Sequence, residues 1–191
     1  MSAVLSGFAN KKMSIELILG CMFSGKTTEL FRRVRRHGAA LHRCLIIKYA
    51  ADVRYDALSA CTHDQSKMTA VAVSRLRDVA DVDAYDVIGI DEAQFFDDLI
   101  EFCEELANRD KVVIVAALDG TFQRKPFGRV LELVPLAEHV TKLNAVCTIC
   151  HKDAAFSHRK PPDGRTIAIG GAEAYAAMCR KCFNAHLLDP S

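Results

Sequence analysis

Short apolar runs alternate with amphipathic segments over the first two thirds of the chain. Continuous apolar runs predict strands at residues 15–19, 44–47, 86–91 and 112–118, and helical spacing predicts helices at 27–37 and 97–109. The second helix is expected to begin at a capping Asp97. Runs that are continuous rather than alternating are typical of buried parallel strands covered by helices. The pattern therefore predicts an α/β domain with a mostly parallel sheet and flanking helices.

The pattern changes after Ala145. Two pairs of cysteines appear, together with a Pro-Pro-Asp-Gly turn at residues 161–164 and a glycine pair at 170–171. We therefore expect a boundary near residue 143. It divides the chain into a disordered N-terminus at 1–13, an α/β domain at 14–142 and a small, loop-rich unit at 143–191.

Composition limits the possible partners and the cellular compartment. The chain has 191 residues, with 25 Lys and Arg against 24 Asp and Glu. This balance gives no general attraction to nucleic acid or to an acidic membrane surface. No apolar run is long enough to span a bilayer, and the first 13 residues lack the apolar stretch of a secretion signal. A cytoplasmic location is the expectation, with neither nucleic acid nor membrane as partner.

The strongest motif follows the first predicted strand. A Gly, four residues and Gly-Lys-Thr form the P-loop spacing, in Gly20, Cys21, Met22, Phe23, Ser24, Gly25, Lys26 and Thr27. The glycines allow successive backbone N–H groups to point at one anion, and the following helix adds its positive N-terminal end. Lys26 is expected to reach the β- and γ-phosphates of ATP, and the Thr27 hydroxyl can bind Mg²⁺.

A pair of acidic residues ends the third predicted strand. Asp91 is expected to hold Mg²⁺ directly or through water, and Glu92 follows at once. Adjacent side chains at a strand end point to different sides, so Glu92 is free to act as a general base on a hydroxyl or a water. The alternative is that Glu92 only caps the next helix or faces solvent.

Four of the eight cysteines form two short claws, Cys147 with Cys150 and Cys179 with Cys182. Four thiolates in a tetrahedron are the ligands of a structural Zn²⁺, and they leave no open position for a catalytic water. Redox chemistry is the alternative for any such pair, and His151 or His186 could replace one ligand. The scattered Cys21, Cys44, Cys61 and Cys103 are expected to be small buried residues or idle thiols.

The P-loop, the acidic pair and the cysteine claws, with the residues between them, resemble the type II thymidine kinase family. The resemblance extends from about Glu16 to Cys182, and its most specific segments are 20–30, 47–55, 88–96, 115–128 and 170–182. It implies a P-loop, RecA-like sheet with a zinc-binding lasso or lid. It also implies transfer of the ATP γ-phosphoryl group to thymidine and, with some overlap, to deoxyuridine.

The resemblance assigns roles to individual positions. Glu92 matches the catalytic base, and Thr27 and Asp91 match the residues that bind magnesium. Asp52, Arg54 and Gln94 match the rest of the nucleotide site. The nucleoside pocket matches Met22, Phe95, Leu118, Phe122, Phe127, the backbone of the lid residues Thr166, Ile167, Ala168, Ile169 and Gly170, and Tyr175. For Leu118 and Phe127, core packing is the alternative.

Two departures and two further implications accompany this resemblance. Cys21 stands where the family often has Pro, and Ala93 where some members have Gly. The Cys21 side chain is not needed for phosphate contact, although its thiol could be oxidised. Ala and Gly are both small, so Ala93 changes little. The family also implies a homotetramer and feedback by dTTP.

Three rival functions remain open at this stage. A P-loop ATPase would use Glu92 to activate water. A nucleic-acid-binding zinc module would need a basic stripe, and the only dense cluster, Arg32, Arg33, Arg35 and Arg36, is expected to be a solvated helix face. A kinase with deoxyuridine or deoxycytidine as acceptor is the third, because room for one methyl group discriminates only modestly.

Overall fold

The computed structural model describes residues 13–52, 69–159 and 174–188. Residues 1–12 of the predicted disordered N-terminus at 1–13 lie outside these ranges, as does the turn predicted at 161–164. The strands are β1 Ser14–Gly20, β2 Cys44–Tyr49, β3 Thr69–Val73, β4 Val87–Ile90, β5 Val112–Leu118, β6 His139–Leu143, β7 Ala145–Val146, β8 Asp153–Ala154, β9 Phe156–Arg159 and β10 Tyr175–Met178. The helices are α1 Lys26–Ala39, α2 Leu99–Asn108 and α3 Arg180–Leu188.

The first six strands form one sheet in the order β3-β2-β4-β5-β1-β6. Every neighbouring pair in it is parallel. Strands β1 and β5 are buried along their whole length, as their continuous apolar runs predicted. Because parallel strands end at the same edge, the residues that follow β1, β4 and β5 meet at the carboxyl edge of the sheet. The predicted α/β class is confirmed.

Helices cover both faces of this sheet. Helix α1 packs Leu30 and Val34 with Ile18 and Ile46 on one face. Helix α2 and the 3₁₀ helix Val130–Leu136 cover the other face, which holds the larger apolar cluster. This packing fixes the start of α1 directly beyond the end of β1, where the P-loop lies.

The predicted start of the second helix is wrong. Helix α2 is preceded by Asp98 rather than capped by Asp97, and no side-chain cap bond forms. The Asp98 carboxylate instead accepts the backbone N–H groups of Leu76 and Arg77, at 3.2 and 3.0 Å. It therefore ties α2 to the 3₁₀ turn at Leu76–Asp78, a long-range partner that no local pattern reveals.

The basic face of α1 is also only partly as expected. Arg32, Arg35 and Arg36 are exposed, but the Arg33 side chain is only 14% exposed. Its guanidinium contacts the buried carboxylate of Glu16 at 3.0 Å. One member of the cluster is therefore part of the packing between α1 and β1, and three face solvent.

Beyond β6 the described residues 145–159 and 174–188 form what we call the cysteine unit. It contains two small antiparallel pairs, β7 with β8 and β9 with β10, and helix α3. Its own apolar cluster holds Ala145, Cys147, Ala154 and Ala177 and includes Cys21 of the P-loop. The last strand of the main sheet ends at Leu143, and the first of these small strands begins at Ala145.

A pair of glycine substitutions tests the packing between α1 and the sheet. A Cβ at Gly89 in β4 would lie 2.8 Å from Ile46 Cδ1 and 3.0 Å from Val34 Cγ2. We expect Gly89→Ala to lower the free energy of unfolding by about 1–3 kcal/mol. A Cβ at Gly38 in α1 has only Cys44 Sγ nearby, at 4.0 Å. Gly38→Ala should therefore raise stability by about 0.5–1 kcal/mol, and urea unfolding that gave both variants the same sign would contradict this packing.

Candidate active site

The P-loop occupies the turn between β1 and α1, and its two glycines are required by geometry. A Cβ at Gly20 would lie 2.5 Å from the Leu143 carbonyl oxygen and 2.6 Å from Ser24 Oγ. Gly25, just before α1, adopts a φ of 84°, in the left-handed region that favours glycine. The loop therefore takes the close, tightly turned path that a phosphate cradle needs.

The lysine of this loop has a partly buried, charged environment. Lys26 Nζ donates to the carbonyl oxygen of Cys21 at 2.8 Å. Burial lowers the pKa of Lys26, and the carboxylates of Glu92 and Asp91 act in the opposite direction. The ammonium group thus lies at the junction of the P-loop and the acidic end of β4.

Thr27 and Asp91 form the oxygen-rich part of the site. Thr27 Oγ1 donates to Asp91 Oδ1 at 3.1 Å, although the residues are 64 positions apart. Asp91 is only 4% exposed, and burial, together with Glu92, raises its pKa to about 6. A buried carboxylate next to a hydroxyl is a donor set suited to Mg²⁺, and a divalent cation would offset the cost of its negative charge.

The Glu92 backbone N–H donates to Asp91 Oδ1 at 3.1 Å, but the Glu92 carboxylate has its own hydrogen-bond partner. Its carboxylate accepts Gln94 Nε2 at 2.5 Å, and Gln94 Oε1 in turn accepts the backbone N–H of Leu118 at 3.0 Å. The residue itself has a φ of 53°, which is uncommon outside glycine. The carboxylate is therefore fixed between β4 and the end of β5. Glu92 does not cap α2, which begins seven residues later at Leu99.

An aromatic group lies beside this carboxylate. Phe95 contacts Phe127 edge-on at 5.6 Å between ring centroids and stacks on Tyr49 at 5.1 Å. Leu118, at the end of β5, is buried. These residues give the site an apolar side of the kind that binds a flat ring.

The cysteine unit contacts the P-loop directly. The backbone N–H of Met22 donates to Ser157 Oγ at 2.9 Å, and Cys21 Sγ donates to the Ala154 carbonyl oxygen at 3.3 Å. Cys21 is buried, as expected, and burial raises the pKa of its thiol. The thiol is therefore shielded rather than reactive.

The two cysteine claws come together as predicted. The Sγ atoms of Cys147, Cys150, Cys179 and Cys182 all lie within 4.8 Å of one another. Tetrahedral Zn²⁺ with bonds near 2.3 Å needs sulfur atoms about 3.8 Å apart, so the donor set fits zinc. Burial opposes ionisation of Cys147, but backbone hydrogen bonds from Cys179, Cys150 and Ile149 outweigh it and hold the pKa of this thiol at about 6. His151 is not part of this group.

Comparison with known proteins decides the family. A model of the family described as thymidine kinase matches residues 13–183. This chain belongs to the thymidine kinase family. It is 55% identical over 185 residues to a cytosolic thymidine kinase of Homo sapiens, which covers 96% of this chain and 79% of that protein. It is also 53% identical over 170 residues to the thymidine kinase of Rabbit fibroma virus, covering 88% of this chain and 95% of that protein. A Variola virus thymidine kinase is 52% identical over 170 residues, covering 88% and 96%.

Some positions expected to act in this thymidine kinase family member lie outside the described residues. They are Arg54 and the lid residues Thr166, Ile167, Ala168, Ile169 and Gly170. Asp52 is described, and its backbone N–H donates to the Tyr49 carbonyl oxygen at 3.0 Å in the turn after β2. Tyr175 begins β10 opposite Arg159 of β9. Among the described residues, no helix has the length and apolar character needed to cross a bilayer.

Three contacting residues were not found from sequence. Tyr49 ends β2 at the same sheet edge as the P-loop, a position that could have indicated it. Ser157 and Arg159 lie on β9, and they contact Met22 and Phe122 across more than thirty positions of chain. Nothing local marks β9 as part of the site.

Proposed function

We propose that this protein transfers the γ-phosphoryl group of ATP to the 5′-hydroxyl of thymidine. One observation carries the proposal: a carboxylate fixed by Gln94 stands beside a P-loop and an aromatic group. A carboxylate that bonds to Gln94, and not to the Thr27 hydroxyl that Asp91 accepts, fits the role of a base for a substrate hydroxyl. Membership of the thymidine kinase family supports thymidine as that substrate.

The nucleotide side of the site follows from the P-loop. The backbone N–H groups of residues 20–27 and the N-terminal end of α1 hold the ATP phosphates, and Lys26 places positive charge near the transferred group. Asp52 and Arg54 complete this side. Thr27 and Asp91 would hold Mg²⁺, which supplies neutralisation of the charge on the phosphate oxygens when it is bound.

Glu92 acts on the acceptor. It takes the proton of the 5′-hydroxyl as that oxygen forms a bond to the γ-phosphorus, and the bond from this phosphorus to the β,γ-bridging oxygen breaks. The products are dTMP and ADP. Gln94 keeps the Glu92 carboxylate in the orientation that this proton transfer requires.

The nucleoside lies against the apolar side of the site. Met22, Phe95, Leu118, Phe122, Phe127 and Tyr175 surround the base, and the backbone of residues 166–170 reads its polar edge. The division into an α/β kinase domain at 14–142 and a zinc-binding lid at 143–191 fits these roles. A structural zinc in the four thiolates would hold the lid in register.

Membership of the thymidine kinase family also supports a homotetramer, feedback by dTTP and a cytoplasmic location. The relatives from Homo sapiens and Bos taurus are both named as cytosolic. Deoxyuridine should be a weaker acceptor, since the loss of one methyl contact lowers kcat/KM about tenfold or more.

The proposal is tested by measuring phosphate transfer from ATP to each of the four common deoxynucleosides, with Mg²⁺ present. We expect thymidine to have the highest kcat/KM and the purine deoxynucleosides to give almost none. ATP hydrolysis at the same rate without any acceptor would instead indicate an ATPase in which water is the nucleophile. Preference for deoxycytidine would overturn the choice of base.

A further inference from the structure

The segment after β5, residues 119–128, forms a tightly closed loop that carries Phe122 and Phe127. The Thr121 backbone N–H donates to the Lys125 carbonyl oxygen at 2.9 Å, and Arg124 N–H donates to the Thr121 carbonyl oxygen at 2.9 Å. Arg124 sits at the tip with a φ of 61°, in the left-handed region. The backbone of this turn therefore sets the direction of the Arg124 side chain.

That side chain enters the cysteine unit. The Arg124 guanidinium carbon lies 4.7 Å from the ring centroid of Phe183 and 5.7 Å from that of Phe156. Its Nη1 donates to Asn184 Oδ1 at 3.1 Å. Phe183 is only 3% exposed, so the cation meets a ring that packing already holds in place. Arg124 itself is exposed, so the contact has the modest strength that a cation above an aromatic ring has at a surface.

A second contact runs in the opposite direction. The guanidinium carbon of Arg159, on β9 of the cysteine unit, lies 5.5 Å from the ring centroid of Phe122 in the loop. Each side therefore supplies one arginine and one aromatic ring. We call the pairs Arg124–Phe183 and Arg159–Phe122 the arginine clamp.

We propose that the arginine clamp fixes the 119–128 loop against the cysteine unit and that Arg124 is a positioning residue for thymidine binding. Phe122 and Phe127 belong to the proposed nucleoside pocket, whereas the catalytic side chains Thr27 and Glu92 bond to Asp91 and to Gln94, outside the clamp. Loosening the clamp therefore disturbs the nucleoside side and spares phosphoryl transfer once substrate is bound. This inference rests on the proposed function.

The test compares Arg124→Gln with Arg124→Lys and with Lys125→Gln, a neighbouring exposed cation in the same loop. In Arg124→Gln we expect KM for thymidine to rise about fivefold to tenfold, because two ring contacts lose their cation. The value of kcat and KM for ATP should change less than about twofold. Arg124→Lys keeps the charge and should recover part of the loss. Lys125→Gln should match the unaltered protein, and zinc content should be equal in all.

Hydrogen–deuterium exchange gives a readout independent of activity. We expect faster exchange in Arg124→Gln at both residues 119–127 and β9–β10, and no change in Lys125→Gln. Faster exchange with unchanged KM would overturn the positioning role, and unchanged exchange on either side would overturn the clamp. If the unaltered protein phosphorylates no nucleoside, the proposed function fails, and the exchange result still decides whether the clamp exists.

Discussion

Replacing Glu92 by glutamine is expected to lower kcat for thymidine phosphorylation by about a hundredfold to ten-thousandfold. The amide has nearly the shape of the carboxylate, and its oxygen can still accept the hydrogen bond that Gln94 Nε2 makes at 2.5 Å. It cannot accept the proton of the 5′-hydroxyl. The loss should therefore fall on turnover, with KM values for ATP and thymidine within about threefold of the original.

Glu104→Gln is the matched control, because this glutamate is exposed on α2, which covers the face of the sheet opposite α1. Steady-state kinetics on both variants, with nucleotide binding measured separately by calorimetry, would separate base chemistry from binding. Turnover that is unaffected in Glu92→Gln would remove Glu92 from the role of base. A loss confined to ATP affinity would assign it to the nucleotide side instead.

Removing one thiolate of the cysteine cluster is expected to have the largest effect on stability. In Cys179→Ser we expect zinc to fall from about one ion per chain to almost none, because structural sites need all four ligands. The free energy of metal binding in such units is folding free energy, on the order of 10 kcal/mol. The cysteine unit should unfold, and with it the contact that Ser157 Oγ makes with the P-loop N–H of Met22.

Lys181→Ser provides the control, since Lys181 is exposed in the same turn between two of the ligands. Zinc content by elemental analysis, secondary structure by circular dichroism and the melting temperature should change only in Cys179→Ser. The sheet has its own core, so ATP binding should persist while thymidine turnover is lost. A Cys179→Ser protein that is free of zinc but fully active would contradict a structural role for the metal.

The main sheet could be predicted because its central strands are buried on both faces. Strands β1, β2, β4 and β5 read as continuous apolar runs, and the turn between β1 and α1 carries a motif with a fixed spacing. Strand β6 escaped prediction because its residues are exposed or only half-buried and its sequence has neither a continuous apolar run nor a regular alternation. Edge strands lack the pattern that burial imposes.

In the candidate site, contacts between neighbouring residues could be predicted, whereas contacts between distant segments could not. The separate directions of Asp91 and Glu92 followed from their adjacency at a strand end, and the structure has them bonded to Thr27 and to Gln94. The partners supplied by the cysteine unit, Ser157 and Arg159, could not be derived, because a contact between segments far apart in sequence leaves no periodic signal in either one. The apolar side of the site came only from family resemblance.

The ion pair of Arg33 has a consequence for how substrates arrive. This one side chain joins Glu16 of β1, Glu29 of its own helix and Thr141 of β6, at 3.0, 2.7 and 3.0 Å. Through this one side chain, the helix whose N-terminal end follows the P-loop is tied to two neighbouring strands. We therefore expect that ATP binding loses little free energy to ordering this helix. Any structural adjustment to the nucleoside should occur on the apolar side of the site.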